Sequence, residues 1–457
     1  MTMKPQRLPS RYAKSFTALP MRCAARAIAL ALCATLLAGC ATHTQRVQRL
    51  EQYYLAGDAA NALVALDQIG YPRRDRVLYL MDQAILLRMD AQYEASNAAL
   101  EQAKALIDEL TAASVTETVA QFTLNDAASS YVGSPLEHVL IHVYAAFNYL
   151  DLGRVDAARV EALQLDQLTR QLGRRPETQL LGNVAFAHYL SGIIFEDLGE
   201  WSDAMIAYRK AYEAYQQHGT TLDERIPQAL KTDLLRLSEH MGLAEENRAY
   251  QREFNIDSWL PLARYRELGE IIVFFHDGLV PIKREHSEVV PLVGHGQLVR
   301  VSLPAYYDRG QPAQSARVTI NDQTWQTEPA MNIARTAHVT LEKQMPGIIA
   351  RSAMRNVVKY QTAREAGRQD ELAGLAVNIF NVLTESADTR SWLTLPAEIQ
   401  IARIALPPGS YDCEIAALPY GQHSGNATRF AGLRVDAGTK LYLSYRWTPF
   451  YARTTRH

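Results

Sequence analysis

The chain has 457 residues, 47 basic against 49 acidic, 48% apolar side chains and four cysteines. Residues 1–39 hold six cations and no acid, so the remainder carries 41 basic against 49 acidic residues. That balance excludes the basic footprint that nucleic acid demands and electrostatic adhesion to anionic lipid, and the length suits two or three domains.

Residues 1–39 read as a leader. Arg22 and Arg26 precede an apolar run at 27–37, and small residues follow, which are the parts of a secretory signal. The run is shorter than the roughly 20 residues of a spanning helix. It closes on Leu36-Leu37-Ala38-Gly39-Cys40, and Leu-Ala-Gly-Cys resembles the lipobox of bacterial lipoproteins. The resemblance implies cleavage before Cys40, a diacylglycerol on its thiol and an N-acyl chain on the new amine. Two or three chains anchor a protein stably where one does not. Ala41 follows, not aspartate, which by the sorting rule of such lipoproteins directs the chain to the periplasmic face of the outer membrane. The inner membrane is the alternative, and a plain signal peptide is the other reading of the segment. Met1 and Met21 both remain open as starts. With Cys23 and Cys33 lost and Cys40 acylated, Cys413 is left without a disulfide partner. It reads as a core strand residue, with a reactive thiol as the alternative.

Residues 40–254 form the expected helical domain. Within it, Gly192, Phe195, Gly199, Trp201, Ala204, Tyr208 and Ala211 resemble a tetratricopeptide repeat: small residues where two helices cross, aromatic ones between them, glycine at the turn. Looser copies place small residues at 62, 96 and 158, with 204 the fourth. The separations are 34, 62 and 46, so only the first fits the regular period of about 34. A polar insertion around 111–135 breaks the array. The resemblance implies a solenoid whose concave groove takes a protein partner, with Tyr144, Phe147, Tyr189, Ile193 and Glu196 projecting into it. A helical spacer is the alternative, as is a groove filled by the chain itself.

A linker at 255–269 leads to a β-rich domain at 270–449, followed by a tail at 450–457. Strands are expected at 271–275, 297–303, 316–320, 398–406, 411–416, 428–435 and 440–447. Turn residues at 406–411 and 436–438 suggest two hairpins, and the spacing suggests a β-sandwich. A helical insert at 342–386 has apolar stripes that read as core packing, or as a membrane-surface or partner-binding hairpin. The fold class is therefore α+β and multidomain. Four stretches, at 278–283, 346–351, 388–392 and 406–411, together resemble a family of uncharacterised Gram-negative outer-membrane lipoproteins. That family brings architecture and no activity. Asp388 and Arg390 read as an ion pair bracing a loop around a buried Trp392, or as a recognition site.

The chain after residue 39 carries no phosphate-cradling loop, no His-Glu-x-x-His, no Gly-x-Ser-x-Gly and no Ser-x-x-Lys, and its histidines are scattered. The expectation is a non-enzyme with no metal, no cofactor beyond the covalent lipid, and no nucleic-acid partner. It would be a scaffold or assembly factor binding a periplasmic or outer-membrane protein. The alternative is an envelope carbohydrate-binding protein or hydrolase using the β-rich domain.

Overall fold

The computed structural model describes residues 48–114, 129–292, 297–369, 371–419 and 427–448. Cys40, the leader, residues 115–128 of the expected insertion and the tail lie outside them. The helical half is a series of hairpins: α1 (Gln48–Leu55) with α2 (Ala59–Gln68), α3 (Arg76–Met89) with α4 (Tyr93–Ser114), α5 (Pro135–Asp151) with α6 (Val155–Leu172), α7 (Ala185–Asp197) with α8 (Trp201–Leu222), and α9 (Gln228–His240) with α10 (Ala244–Phe254). Local chemistry sets the ends. Ser134 and Glu137 form a reciprocal cap on α5, with Pro135 in its first turn.

Every hairpin turns in the same way. Gly57, Gly153, Gly199 and Gly242 sit at positive φ, each donating its amide three residues back, and the following residue donates five back. Ala91 takes the same place between α3 and α4 at φ 55°. The small residue five positions later, Ala62, Ser96, Ala158 or Ala204, is buried. Asn247 fills that place in the last hairpin, where its amide donates to Leu235 O at 2.8 Å and Ser238 Oγ at 2.9 Å. A fifth unit therefore exists that the small-residue pattern did not disclose. The expected linker also contains a short helix, α11 (Leu262–Tyr265).

Strands follow: β1 (Gly269–Asp277), β2 (Ile282–Leu292), β3 (Gln297–Tyr307), β4 (Ser315–Ile320), β5 (Gln323–Gln326), β6 (Glu328–Asn332), β7 (Glu398–Leu406), β8 (Gly409–Leu418), β9 (Ala427–Val435) and β10 (Lys440–Trp447). One sheet has the order β10-β1-β7-β6, with β10 parallel to β1; a second has the order β5-β4-β8-β9; β2 and β3 pair alone. The strands at 398–406 and 440–447 fall where expected, whereas β2, β5 and β6 were not anticipated. Two turns expected to close hairpins instead cross between sheets. β7 and β8 are joined by Pro407 and Pro408 yet lie in different sheets, as do β9 and β10. Two successive prolines hold the chain extended and withhold amide donors from a ladder, so the turn makes a corner.

Strand alternation builds the layers. Ile271, Val273 and Phe275 of β1, with Ile404 and Leu443, share a core with Val318, Cys413 and Ile415 of the second sheet. The intervening residues Ile272 and Phe274, with Ile401 and Tyr442, belong to the core of the helical hairpins. The first sheet is thus apolar on both faces, and helices and strands share one continuous core.

Between β6 and β7 stands a helical arm. α12 (Ile333–Gln369) begins nine residues before the expected insert, continues through Pro346 and pairs with α13 (Glu371–Thr384). At about 1.5 Å per residue α12 is about 55 Å long. Its first turns are buried through Ile333, Ala337 and Val339, and the later ones lie along the β2–β3 ribbon.

Candidate functional site

The five residues expected to line a partner groove are all buried, and Tyr144, Phe147 and Glu196 meet the chain's own first sheet. Tyr144 is 5.6 Å from the His276 ring, centroid to centroid, and Phe147 is 4.6 Å from Phe274. Tyr189 donates to Asp233 at 3.1 Å; Ile193 and Glu196 are buried. The expectation of an open groove is corrected for a physical reason. A sheet apolar on both faces must cover its second face, and the helical hairpins do so. The small and aromatic residues at helical spacing were legible; the sheet that occupies the groove was not.

At the centre of that interface lies a buried ion cluster. Arg403 of β7 reaches Glu270 at 2.6 Å, Asp233 at 2.5 Å and Glu196 at 3.1 Å. Lys440 adds contacts to Glu196 and Glu270, both at 3.1 Å, and Arg236 pairs with Asp233 at 2.9 Å. Burial alone would raise the pKa of Glu196, but Arg403, Lys440 and Arg236 outweigh it and hold the carboxyl well below its ordinary range. Three cations and three carboxylates neutralise each other here, so the cluster serves as a lock between layers.

The loop expected to brace or to recognise is braced from within the chain. Arg390 pairs with Asp388 at 2.7 Å and with Asp75, ahead of α3, also at 2.7 Å. Its guanidinium lies 5.1 Å from the Tyr131 ring centroid. Trp392 is 1% exposed, and its amide donates to Glu137 Oε1 at 2.7 Å. Asp75 and Glu137 are the partners that sequence reasoning missed, since they lie hundreds of residues away. Cys413 is buried between the sheets, and burial pushes its thiol up to about 12.

The surface that remains is the arm, and its polarity is inverted. Between its helices and ribbon lie charged and amide side chains. Lys359 and Arg355 meet Glu385 at 2.6 and 3.2 Å, Arg300 meets Glu285 at 2.5 Å, and Asn378 bonds both the amide and the carbonyl of Leu298. Outside lie Met354, 65% exposed, Val357, 57% exposed, and Leu375, Ile379 and Phe380. The expected reading of the apolar stripes as core packing is corrected: after Pro346 the stripes face outward, because Arg355, Lys359, Glu385 and Asn378 take the inner side and bond one another and the ribbon there. Among the described residues no helix is long and apolar enough to cross a membrane, and no cluster of three or more His, Cys, Asp or Glu is placed to hold a metal.

This architecture defines an α+β protein in which helical hairpins are capped by a sheet, and an arm rooted in their shared core by the first turns of α12 exposes its apolar stripe. No protein-family model matches the chain, and no curated protein matches it. Among solved structures it is similar to MamA of MSR-1 at 13% identity and TM-score 0.28, over 46% of this chain and 94% of that one. It is similar to apo RapI at 12% and 0.33, over 52% and 62%. A putative kinesin light chain of Podosopora anserina with TPR-like repeats stands at 15% and 0.29, over 47% and 97%.

Proposed function

We propose that this chain is a lipid-anchored, periplasm-facing lipoprotein of the outer membrane that acts as a protein-binding scaffold or assembly factor for envelope machinery. It works without catalysis and without a cofactor beyond the acyl chains on Cys40. Its contact surface is the arm, and the observation that carries this reading is the arm's inverted polarity. A helix pair that satisfies its polar stripe internally and leaves Met354, Val357, Ile379 and Phe380 in water gains most by covering them. The exposed charges of both signs around them, Arg351, Arg364, Glu365 and Arg368, favour a protein over hydrocarbon, which accepts ionised side chains only at high cost.

The test is photocrosslinking in the native envelope from positions 354 and 380, with the exposed β9 position 434 as the control. The expected result is a discrete protein adduct from the two arm positions and none from 434. Adducts to lipid only, or to a second copy only, would replace this reading by a membrane-resting or self-associating arm. Acyl attachment is checked separately, by the mass of the N-terminal peptide and its loss in Cys40→Ser.

A further inference from the structure

Where β1 and β10 end, the helix-facing side of the first sheet leaves a cavity of about 260 Å³ against α3, α4 and α5. Its walls include Met89, Tyr93 and Tyr144 from the helices and His276 and Arg446 from the strands. Two arginines contribute to it, in unequal states. Arg88 is neutralised by Asp151 at 2.5 Å and donates to Asn148 at 2.7 Å. Arg446 has no carboxylate in ion-pair contact among the described residues. It donates to the carbonyls of His276 and Trp447, at 2.9 and 3.2 Å, and to the Tyr54 hydroxyl. The neighbouring carboxyl, Asp277, accepts the Ala313 amide at 3.0 Å and makes no ion-pair contact with Arg446; burial raises its pKa, against the Ala313 hydrogen bond and the nearby Arg446 charge.

Three buried nitrogens on lining residues lack a partner among the described residues: Arg446 Nε, His276 Nε2 and Trp447 Nε1. Burial, reinforced by Arg88 and Arg446, keeps the imidazole neutral. Its Nδ1 lies 3.3 Å from the Tyr144 hydroxyl. When that hydroxyl donates, the ring proton sits on Nε2 and becomes a free donor. A half-buried guanidinium with a buried, unpartnered Nε and no ion-pair contact, beside an orphaned imidazole, costs stability unless a ligand offsets it.

We propose that this cavity binds a small carboxylate with an apolar or aromatic body, the carboxylate on Arg446 and His276 and the body against Met89 and Tyr93. The site is independent of the arm and of the scaffold reading. A carboxylate fits the planar fork of Arg446, and the aromatic wall selects against a bare anion.

The test is ligand-observed NMR on the full chain with phenylacetate, its neutral analogue phenylacetamide, and inorganic phosphate. Phenylacetate is expected to bind with a dissociation constant at least about tenfold below that of phenylacetamide, the scale of one charge-assisted hydrogen bond. Phosphate at equal concentration is expected not to displace it. Arg446→Gln should weaken phenylacetate by about tenfold or more. Should that variant not fold, Thr428→Trp, an exposed β9 position at the cavity's lining, tests the same cavity by filling it. Equal binding of phenylacetate and phenylacetamide, displacement by phosphate, an unaltered affinity in both variants, or no binding of phenylacetate at all would each overturn the proposal.

Discussion

Arg403 of β7 reaches across the helix–sheet interface to Glu196 of α7, 3.1 Å away, and both side chains are almost wholly buried. The contact ties the two halves of the chain to one another. A cation that faces three carboxylates cannot be removed without leaving charge stranded in a medium of low polarity.

Arg403→Met is therefore expected to destabilise the protein by about 3–5 kcal/mol, and Glu196→Arg by at least as much, since it sets a third guanidinium beside Arg403 and Arg236. Equilibrium urea unfolding followed by far-ultraviolet circular dichroism reads this directly. A loss under 1 kcal/mol in both would mean that water reaches the cluster. The same logic warns against Glu196 or Tyr189 as probes of partner binding, because their substitution acts first on folding.

The repeated turn offers a prediction of opposite sign. Ala91 holds the left-handed conformation, at φ 55°, that glycine holds in the other four hairpins. A Cβ costs about 1–2 kcal/mol in that region, partly offset by the greater freedom of glycine in the unfolded chain. Ala91→Gly should thus stabilise by about 0.5–1 kcal/mol, visible as a raised thermal midpoint. A lowered midpoint would show that the methyl group makes a contact worth more than the strain.

What could be read from the chain follows from the range over which each feature is encoded. Gly199, Ala204 and Tyr208 belong to one hairpin, so their spacing announces it. Cys413, inside an alternating strand, announces its own burial. The partners of Arg390 and Arg403 lie 315 and 207 residues away in Asp75 and Glu196, and no local pattern joins them. The first sheet was legible as strands, yet its double-sided burial was not. Phe274 and Phe275 in succession mark a strand covered on both faces, which was the available sign that something must fill the groove. The arm misled because an apolar stripe at helical spacing does not say which side of it is solvent.

Asp82 of α3 gives the chain a pH dependence. It is fully buried, accepts Thr394 Oγ1 at 3.0 Å and Tyr71 Oη at 3.3 Å, and burial, against these hydrogen bonds, pushes its pKa up to about 7. The unfolded carboxyl titrates near 3.9. Between the two values the folded chain holds the extra proton, so this group makes stability fall as pH rises from about 4 to 7 and then level. Asp82→Asn should remove that fall and gain roughly 1–3 kcal/mol at pH 8 while leaving stability at pH 4 little changed. The Tyr71 hydroxyl can turn to accept from the new amide. Urea midpoints across this pH range, wild type against variant, decide it; parallel curves would show that Asp82 is charged in the folded state.

The arm makes the last prediction. Met354 and Phe380 are 65% and 48% exposed, and neither belongs to a buried core cluster. Replacing each with a polar residue removes nothing that holds the isolated chain together, so Met354→Gln with Phe380→Gln should change unfolding free energy by less than about 0.5 kcal/mol. By contrast, Glu385→Gln, at the polar centre of the arm, removes the carboxylate that Arg355 and Lys359 share. It should cost about 3–5 kcal/mol if the arm unfolds with the body, or release only the arm to proteolysis if it does not. Limited proteolysis beside urea unfolding separates the two. A large loss from the outer pair and none from Glu385→Gln would mean that the arm's apolar face is covered within the chain and its polar face is the free one. That result would invert the placement of the contact surface.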